Sequence, residues 1–354
     1  MEARRSTVHR NNGTGYGLQK GESSSKGQIC EGHSNLPNIV RGFVSKFRDR
    51  DQRLIMSSYI PLNVKRTTTE WPGKRLNKRA LLCGVSYNYK RKYRLKGTVN
   101  DVKDMRELLI NRFAYPAHCI RVLTEFEPEK EFHPTKKNIE NSLKWLVEDN
   151  QPGDSLVFYF SGHGLRQPDF NNDELDGFDE TICPVDFVQE GMIFDNDINI
   201  AIVRPLKQGV TLHAIVDACH SGTVLDLQYV YDQKRKQWKD NTPPSGVRKS
   251  TSGGLAIGIS ACEDHQLAAD TSAFKGKAMS GALTFLFIEL IKQKNNITYG
   301  QMLEEFSETF DNSGNIVKCL NSRTLARLFG YKIAQRPLLS SSTRFDIYSK
   351  NVSL

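Results

Sequence analysis

Cysteine is sparse and badly spaced for the roles it plays in groups. The seven cysteines, at positions 30, 83, 119, 183, 219, 262 and 319, are odd in number and never closer than 36 residues. No Cys-x-x-Cys occurs, which excludes zinc ribbons, zinc fingers and thioredoxin-type redox centres and leaves no zinc among the expected cofactors. A scattered, odd set is not a disulfide framework either, so a reducing compartment is expected, the cytoplasm or also the nucleus. Long apolar runs are missing as well. The longest, residues 281–288, stops at Glu289, far short of the roughly 20 residues a membrane helix needs. Met1-Glu-Ala-Arg-Arg leads into no apolar stretch, so neither a secretory leader nor a membrane partner is expected.

Net charge is unevenly placed. The chain of 354 residues carries +9, but residues 1–79 hold 16 Lys/Arg against 6 Asp/Glu, leaving the rest close to neutral. The high isoelectric point therefore belongs to a basic tail. No aromatic-basic motif of a nucleic-acid module accompanies it, so nucleic acid is not an expected partner. Residues 1–78 lack hydrophobic periodicity and are rich in Ser, Gly, Asn, Lys and Arg, the composition of a mostly disordered tail or pro-region.

From residue 79 the pattern changes. Apolar runs at 80–86, 119–124, 155–161, 211–217 and 255–261 read as buried strands. Between them, residues 100–113 carry Val102, Met105, Leu108 and Leu109 at helical spacing, and Thr135 is an N-cap candidate for a helix to 147. Helices are predicted at 280–293 and 298–310, and an edge strand at 345–348. Strands of continuous apolar character alternating with helices predict an α/β fold, a mainly parallel sheet of six or more strands covered on both faces. In such sheets sites form beyond the carboxyl ends of strands.

Two of those ends are chemically unusual. One reads Phe160-Ser-Gly-His-Gly and the other Asp217-Ala-Cys-His-Ser-Gly. Together they offer a thiol, Cys219, and an imidazole, His163, the pair that cysteine hydrolysis needs: the thiolate attacks a carbonyl carbon while the imidazole takes the thiol proton and returns it to the leaving amine. The backbone N–H groups of Gly164 and Cys219 are the candidate oxyanion donors. Strand alternation puts Ser161 and His163 on one face and Asp217 and Cys219 on one face; if both pairs face the same crevice, a carboxylate lies beside the nucleophile. His220, adjacent in sequence, points away in a strand-like geometry, and His163 is the better base. Cys83, Cys183, Cys262 and His213 read as structural residues.

Residues 167–203 contain ten Asp/Glu and no Lys or Arg. This stretch is either a solvated acidic loop or an oxygen-ligand site for a hard cation such as Ca²⁺. It is not an EF-hand: with Gly177 at loop position 6, Cys183 falls where the bidentate Glu is required. A later polar segment, 228–252, carries Lys234, Arg235, Lys236, Lys239, Arg248 and Lys249. It reads as a surface loop or as a self-cleavage region.

On the two strand-end motifs, and on the ending Pro337-Leu-Leu-Ser-Ser-Ser-Thr-Arg-Phe-Asp-Ile-Tyr, residues 79–354 resemble the metacaspases of the caspase-like peptidase clan, most closely the plant type I branch. The resemblance implies a caspase-like domain with a large part (79–228), a processing loop (229–252) and a small part (253–354). It implies Cys219 as nucleophile, His163 as general base and acid, and Asp101, Ser161, Asp217 and Thr98 as the pocket for Arg or Lys before the cut bond; at position 98 the family usually has cysteine. It implies calcium activation through Asp179, Asp195, Asn196 and Asp226, with a weaker calcium requirement because Asn196 replaces the family's second aspartate. It also implies protein or peptide substrates, self-processing among the basic residues of 228–252 and of 65–79, a monomer, and a role in programmed cell death or stress. Only Cys30 precedes Cys83, so the zinc-finger prodomain of many plant members is not expected. Two other readings stay open at this point: a caspase-like scaffold acting by protein binding, and a hydrolase of a non-peptide amide.

Overall fold

Runs of five to seven apolar residues bounded by polar ones form strands that are buried on both faces, and these make the centre of the molecule. The computed structural model describes residues 61–63, 77–172, 174–218, 221–243, 245–261, 282–319 and 337–354, all of them in the unit Leu36–Leu354. In chain order the strands are β1 (Lys78–Gly84), β2 (Ile120–Thr124), β3 (Ser155–Ser161), β4 (Gly164–Pro168), β5 (Phe178–Ile182), β6 (Ile193–Phe194), β7 (Thr211–Asp217), β8 (Tyr229–Asp232), β9 (Gln237–Asp240), β10 (Leu255–Ser260) and β11 (Leu338–Ser341). The main sheet has eight strands in the order β2-β1-β3-β7-β10-β11-β8-β9. Its first five strands run parallel, and the last three join antiparallel. A second sheet, β4-β5-β6, is small and antiparallel.

The helices α1 (Thr98–Phe113), α2 (Lys136–Val147), α3 (Ala282–Gln293) and α4 (Tyr299–Cys319) cover the main sheet. Val102, Met105, Leu108 and Leu109 of α1 pack with Leu286 and Phe306 from α3 and α4 into one hydrophobic cluster. Ile139, Leu143 and Leu146 of α2 belong to the other. The sheet thus buries apolar surface on both faces, which is why its strands lack polar alternation. The predicted N-cap forms: the Thr135 hydroxyl accepts from the Asn138 N–H at 3.3 Å. His213 is buried in β7, and burial together with the Lys350 charge pushes its imidazole down to about 3, a structural, uncharged residue.

One expectation is corrected. The edge strand predicted at 345–348 is a turn; the strand is β11, seven residues earlier. The Phe345 ring packs against Trp238 and Tyr299, and its carbonyl accepts from the Trp238 indole at 2.7 Å, so the aromatic signal came from packing between elements. The polar segment 228–252 holds the β8–β9 hairpin, whose tip carries the exposed Lys234, Arg235 and Lys236. Residues 61–63 lie against the outer edge of β2, where the Asn63 side-chain amide exchanges two hydrogen bonds with the Val122 backbone, at 2.8 and 2.9 Å. An amide side chain there satisfies the open strand edge.

Candidate active site

The two unusual strand ends meet. β3 and β7 are adjacent and in register, with Ser161 the Cα partner of Asp217. The Gly162 N–H donates to the Asp217 carbonyl at 3.4 Å. Ser161 precedes His163 by two residues, and Asp217 precedes Cys219 by two. Cys219 and His220 lie outside the described residues, as does Cys262.

His163 is fixed from three sides. β3 ends at Ser161 and the chain turns at Gly162, where a Cβ would meet the Phe160 ring at 2.7 Å and the Tyr87 hydroxyl at 3.2 Å. The turn breaks the alternation expected between 161 and 163. The His163 ring lies on the Tyr87 ring, centroids 4.7 Å apart, within the cluster under α2. Ser161 stays on the opposite face, with Tyr159. The His163 Nε2 stands 2.7 Å from the Tyr93 carbonyl. A carbonyl only accepts, so Nε2 carries the hydrogen and Nδ1 holds the lone pair. Burial lowers the imidazole pKa below its usual value, opposed in part by the Tyr93 carbonyl. The result is a buried, neutral base of defined tautomer.

Tyr87 is the support for this arrangement, and the sequence pattern gave no sign of it. Its hydroxyl accepts from the His163 N–H at 3.0 Å and donates to the Cys183 carbonyl at 2.6 Å. Its backbone has φ 51°, in the left-handed region that a bulky residue seldom visits. Glu125, at the end of β2, grips both flanks of the strained residue, accepting from the N–H groups of Ser86 at 2.5 Å and Asn88 at 2.9 Å. Tyr87→Phe strands a buried N–H and a buried carbonyl, which costs about 1–3 kcal/mol. The expected outcome is a lower melting temperature and a several-fold fall in kcat with KM little changed, measured by calorimetry and steady-state kinetics. Wild-type kcat in this variant would show that the hydroxyl does not position His163.

Gly164 opens β4, opposite Ile182 of β5. The Cys183 N–H donates to the His163 carbonyl at 3.0 Å, which makes Gly164 and Ile182 a non-hydrogen-bonded pair. The Gly164 N–H therefore turns away from β5, at the outer edge of its small sheet.

On the α1 side of the main sheet, Thr98, Asp101, Tyr159, Ser161 and Asp217 are all buried. Thr98 and Asp101 reach it because Gly84 at the end of β1 admits the first turn of α1; a Cβ there would stand 2.9 Å from the Thr98 carbonyl oxygen. The Thr98 hydroxyl bonds the Ser86 hydroxyl at 2.9 Å. Asp217 Oδ2 accepts from both the N–H and the hydroxyl of Thr284, at 2.8 and 2.7 Å. The Thr284 hydroxyl thereby accepts from Tyr159, 2.8 Å away. Thr284 lies in the first turn of α3, so the positive end of that helix holds the carboxylate. Burial and the nearby charges of Asp101 and Asp217 push the Tyr159 hydroxyl far up, which places both carboxylates beside it.

The acidic stretch 167–203 is partly folded in: Glu174, Asp179, Glu180 and Asp195 are buried. Oxygens of Glu174, Asp179 and Asp195 all lie within 4.8 Å of one another. Of the four cation ligands expected, Asp179 and Asp195 are in this cluster, and the Asn196 amide nitrogen stands 3.4 Å from Asp179 Oδ1. Asp226 is ion-paired with Lys249, which also reaches Glu174 at 2.6 Å. Glu174 was not among the expected ligands. Asp195 is pushed well up by burial and by the charges of Glu180 and Asp226. Arg166, just outside the acidic stretch, pairs with Glu180 at 2.9 Å and with Asp176. Two oxygens on one calcium, each about 2.3–2.6 Å from it, are at most about 5 Å apart, so this all-oxygen set fits the ion. Among the described residues no helix is long and apolar enough to cross a membrane.

A family model described as Metacaspase, peptidase C14 domain, matches residues 78–228. Metacaspase-1 of Arabidopsis thaliana is 46% identical over 291 residues, covering 78% of this chain and 78% of its own length. Metacaspase-2 of the same plant is 44% identical over 304 residues, covering 78% of this chain and 72% of its own. A solved structure, protein GSU0716 from Geobacter sulfurreducens, aligns over 78% of this chain and 98% of that one, with 20% identity and a TM-score of 0.46.

Proposed function

The chain belongs to the metacaspase family of cysteine peptidases, with the α/β sheet of the caspase-like fold, and from that premise we propose a type I, calcium-stimulated endopeptidase that cuts peptide bonds after Arg or Lys. The observation that carries the reading is the pairing of Ser161 with Asp217, which joins the histidine-bearing and cysteine-bearing strand ends. His163 Nδ1 accepts the Cys219 thiol proton, and the thiolate attacks the scissile carbonyl. The N–H groups of Gly164 and Cys219 bind the oxyanion. His163 then gives its proton to the leaving amine, and the same base activates the water that releases the acyl group. Asp101 and Asp217 supply negative charge for a guanidinium or ammonium, beside Ser161 and above the Tyr159 hydroxyl.

Glu174, Asp179, Asp195 and Asp226, with the Asn196 carbonyl, would hold calcium, whose charge would order the acidic segment around β5. Restoring a carboxylate, Asn196→Asp, adds a like charge beside Asp179 that only a cation relieves. Calorimetry on Cys219→Ala protein is expected to show about tenfold tighter calcium binding when Asn196→Asp is added, roughly 1.4 kcal/mol; equal affinities would refute the role given to position 196. A fluorogenic peptide ending in Arg tests the function itself. Release should require Cys219, rise with calcium and exceed release from a peptide ending in Asp. Turnover by the Cys219→Ala protein, or no turnover by wild type with calcium, sinks the reading.

A further inference from the structure

Lys249 is a lysine in an unusual place. It sits in the connection between β9 and β10, where Arg248 and Ser250 on either side are exposed, yet its own exposure is 2%. Its ammonium reaches Glu174 at 2.6 Å and also pairs with Asp226. Burying an ammonium costs several kcal/mol unless it is paired. Here burial opposes the charge, and the Asp226 and Glu174 carboxylates outweigh it, holding Lys249 above the usual range. One ammonium does not neutralise the whole cluster. Burial and the Asp226 charge raise Glu174, and Asp195, close to both, is raised as well. Glu174 serves two groups at once, since it partners Lys249 and lies with Asp179 and Asp195 in the oxygen cluster.

We propose that Lys249 is an internal counter-ion of the acidic cluster, and that a divalent cation and the Lys249 ammonium are alternative partners of Glu174 and Asp226. Cation loading then releases Lys249 and, with it, the segment that leads into β10. The inference rests on the calcium reading above and deepens it. A divalent ion brings twice the charge of the ammonium to the Glu174 and Asp226 oxygens that Lys249 holds, so it competes with the ammonium for those two carboxylates. The consequence is a segment, carrying Arg248 and Lys249, whose exposure follows cation occupancy.

The test uses full-length Cys219→Ala protein, so that self-cleavage plays no part. Amine acetylation read by mass spectrometry reports the accessibility of each lysine. Lys249 should be protected without calcium and react at least about fivefold faster with it, the lower end of ordinary coupling between sites. Lys234 and Lys236, exposed at the hairpin tip, should react alike in both conditions. In parallel, calorimetry should show calcium binding about tenfold tighter in Lys249→Met, because its competitor is gone. Calcium binding that leaves Lys249 protected, or an unchanged affinity in Lys249→Met, overturns the proposal and leaves the calcium reading standing. No calcium binding to either protein overturns both. If Lys249→Met does not fold, the acetylation of the native lysine decides alone.

Discussion

His163→Ala is expected to lower kcat/KM on an Arg-ending peptide by about 10²–10⁴-fold or more, the range that a positioned general base contributes. The loss should appear in kcat with KM nearly constant, because the imidazole acts on the proton and does not hold the substrate. Structure should survive, since the residue removed sits at a strand end and its backbone N–H bond to Tyr87 remains. A circular dichroism spectrum and melting curve equal to wild type, with activity gone, is the outcome that matches the geometry. Activity within threefold of wild type would mean that another group takes the thiol proton, with His220 the first to examine.

The pH profile gives a second reading of the same residue. Burial lowers the His163 pKa from 6.5. The base works in its neutral form, so activity is retained as pH falls until it passes through this lowered value. The acidic limb of kcat/KM should therefore lie below pH 6.5. A limb above 6.5 would show an imidazole stabilised in its charged state, against the buried, carbonyl-bonded ring seen here.

The sheet was legible in the sequence because its strands are buried on both faces, so each reads as a short apolar run bounded by polar or turn residues. The ends of β3 and β7 were legible because glycines and polar residues follow those runs abruptly. Tyr87 and Glu125 were not, because their role depends on one φ angle and two hydrogen bonds between segments that are far apart in the chain. Thr284 was hidden for the same reason: it is an ordinary first-turn threonine until Asp217 is brought to it. The acidic segment looked unpaired because its cations, Arg166 and Lys249, lie outside it in sequence. Alternation put His163 and Ser161 on one face; the turn at Gly162 separated them. Local pattern thus found the elements and the reactive residue types, while the supports of the site are made by tertiary contact.

Asp217→Asn should cost about 10²–10³-fold in kcat/KM for a peptide ending in Arg, in line with roughly 2–5 kcal/mol for removing one partner of a buried charge pair. The amide is nearly the same size as the carboxylate, and its oxygen still accepts from the Thr284 N–H and hydroxyl, so α3 keeps its anchor. What is lost is charge facing the substrate cation. The fall should therefore sit mostly in substrate recognition and shrink for a peptide with a neutral residue at that position. Asp101→Asn should act in the same direction, and the double variant should fall by less than the sum of the two free-energy losses, because both carboxylates serve one cation beside Tyr159. Equal losses for the charged and the neutral peptide would assign Asp217 to holding the start of α3 and not to choosing the substrate. The comparison of two peptides separates these roles, whereas activity on one peptide would not. The same carboxylate accepts from Thr284 in the first turn of α3, and a helix N-terminus favours negative charge placed there, so the anchor that orients Asp217 suits its role toward a cation that arrives with the peptide.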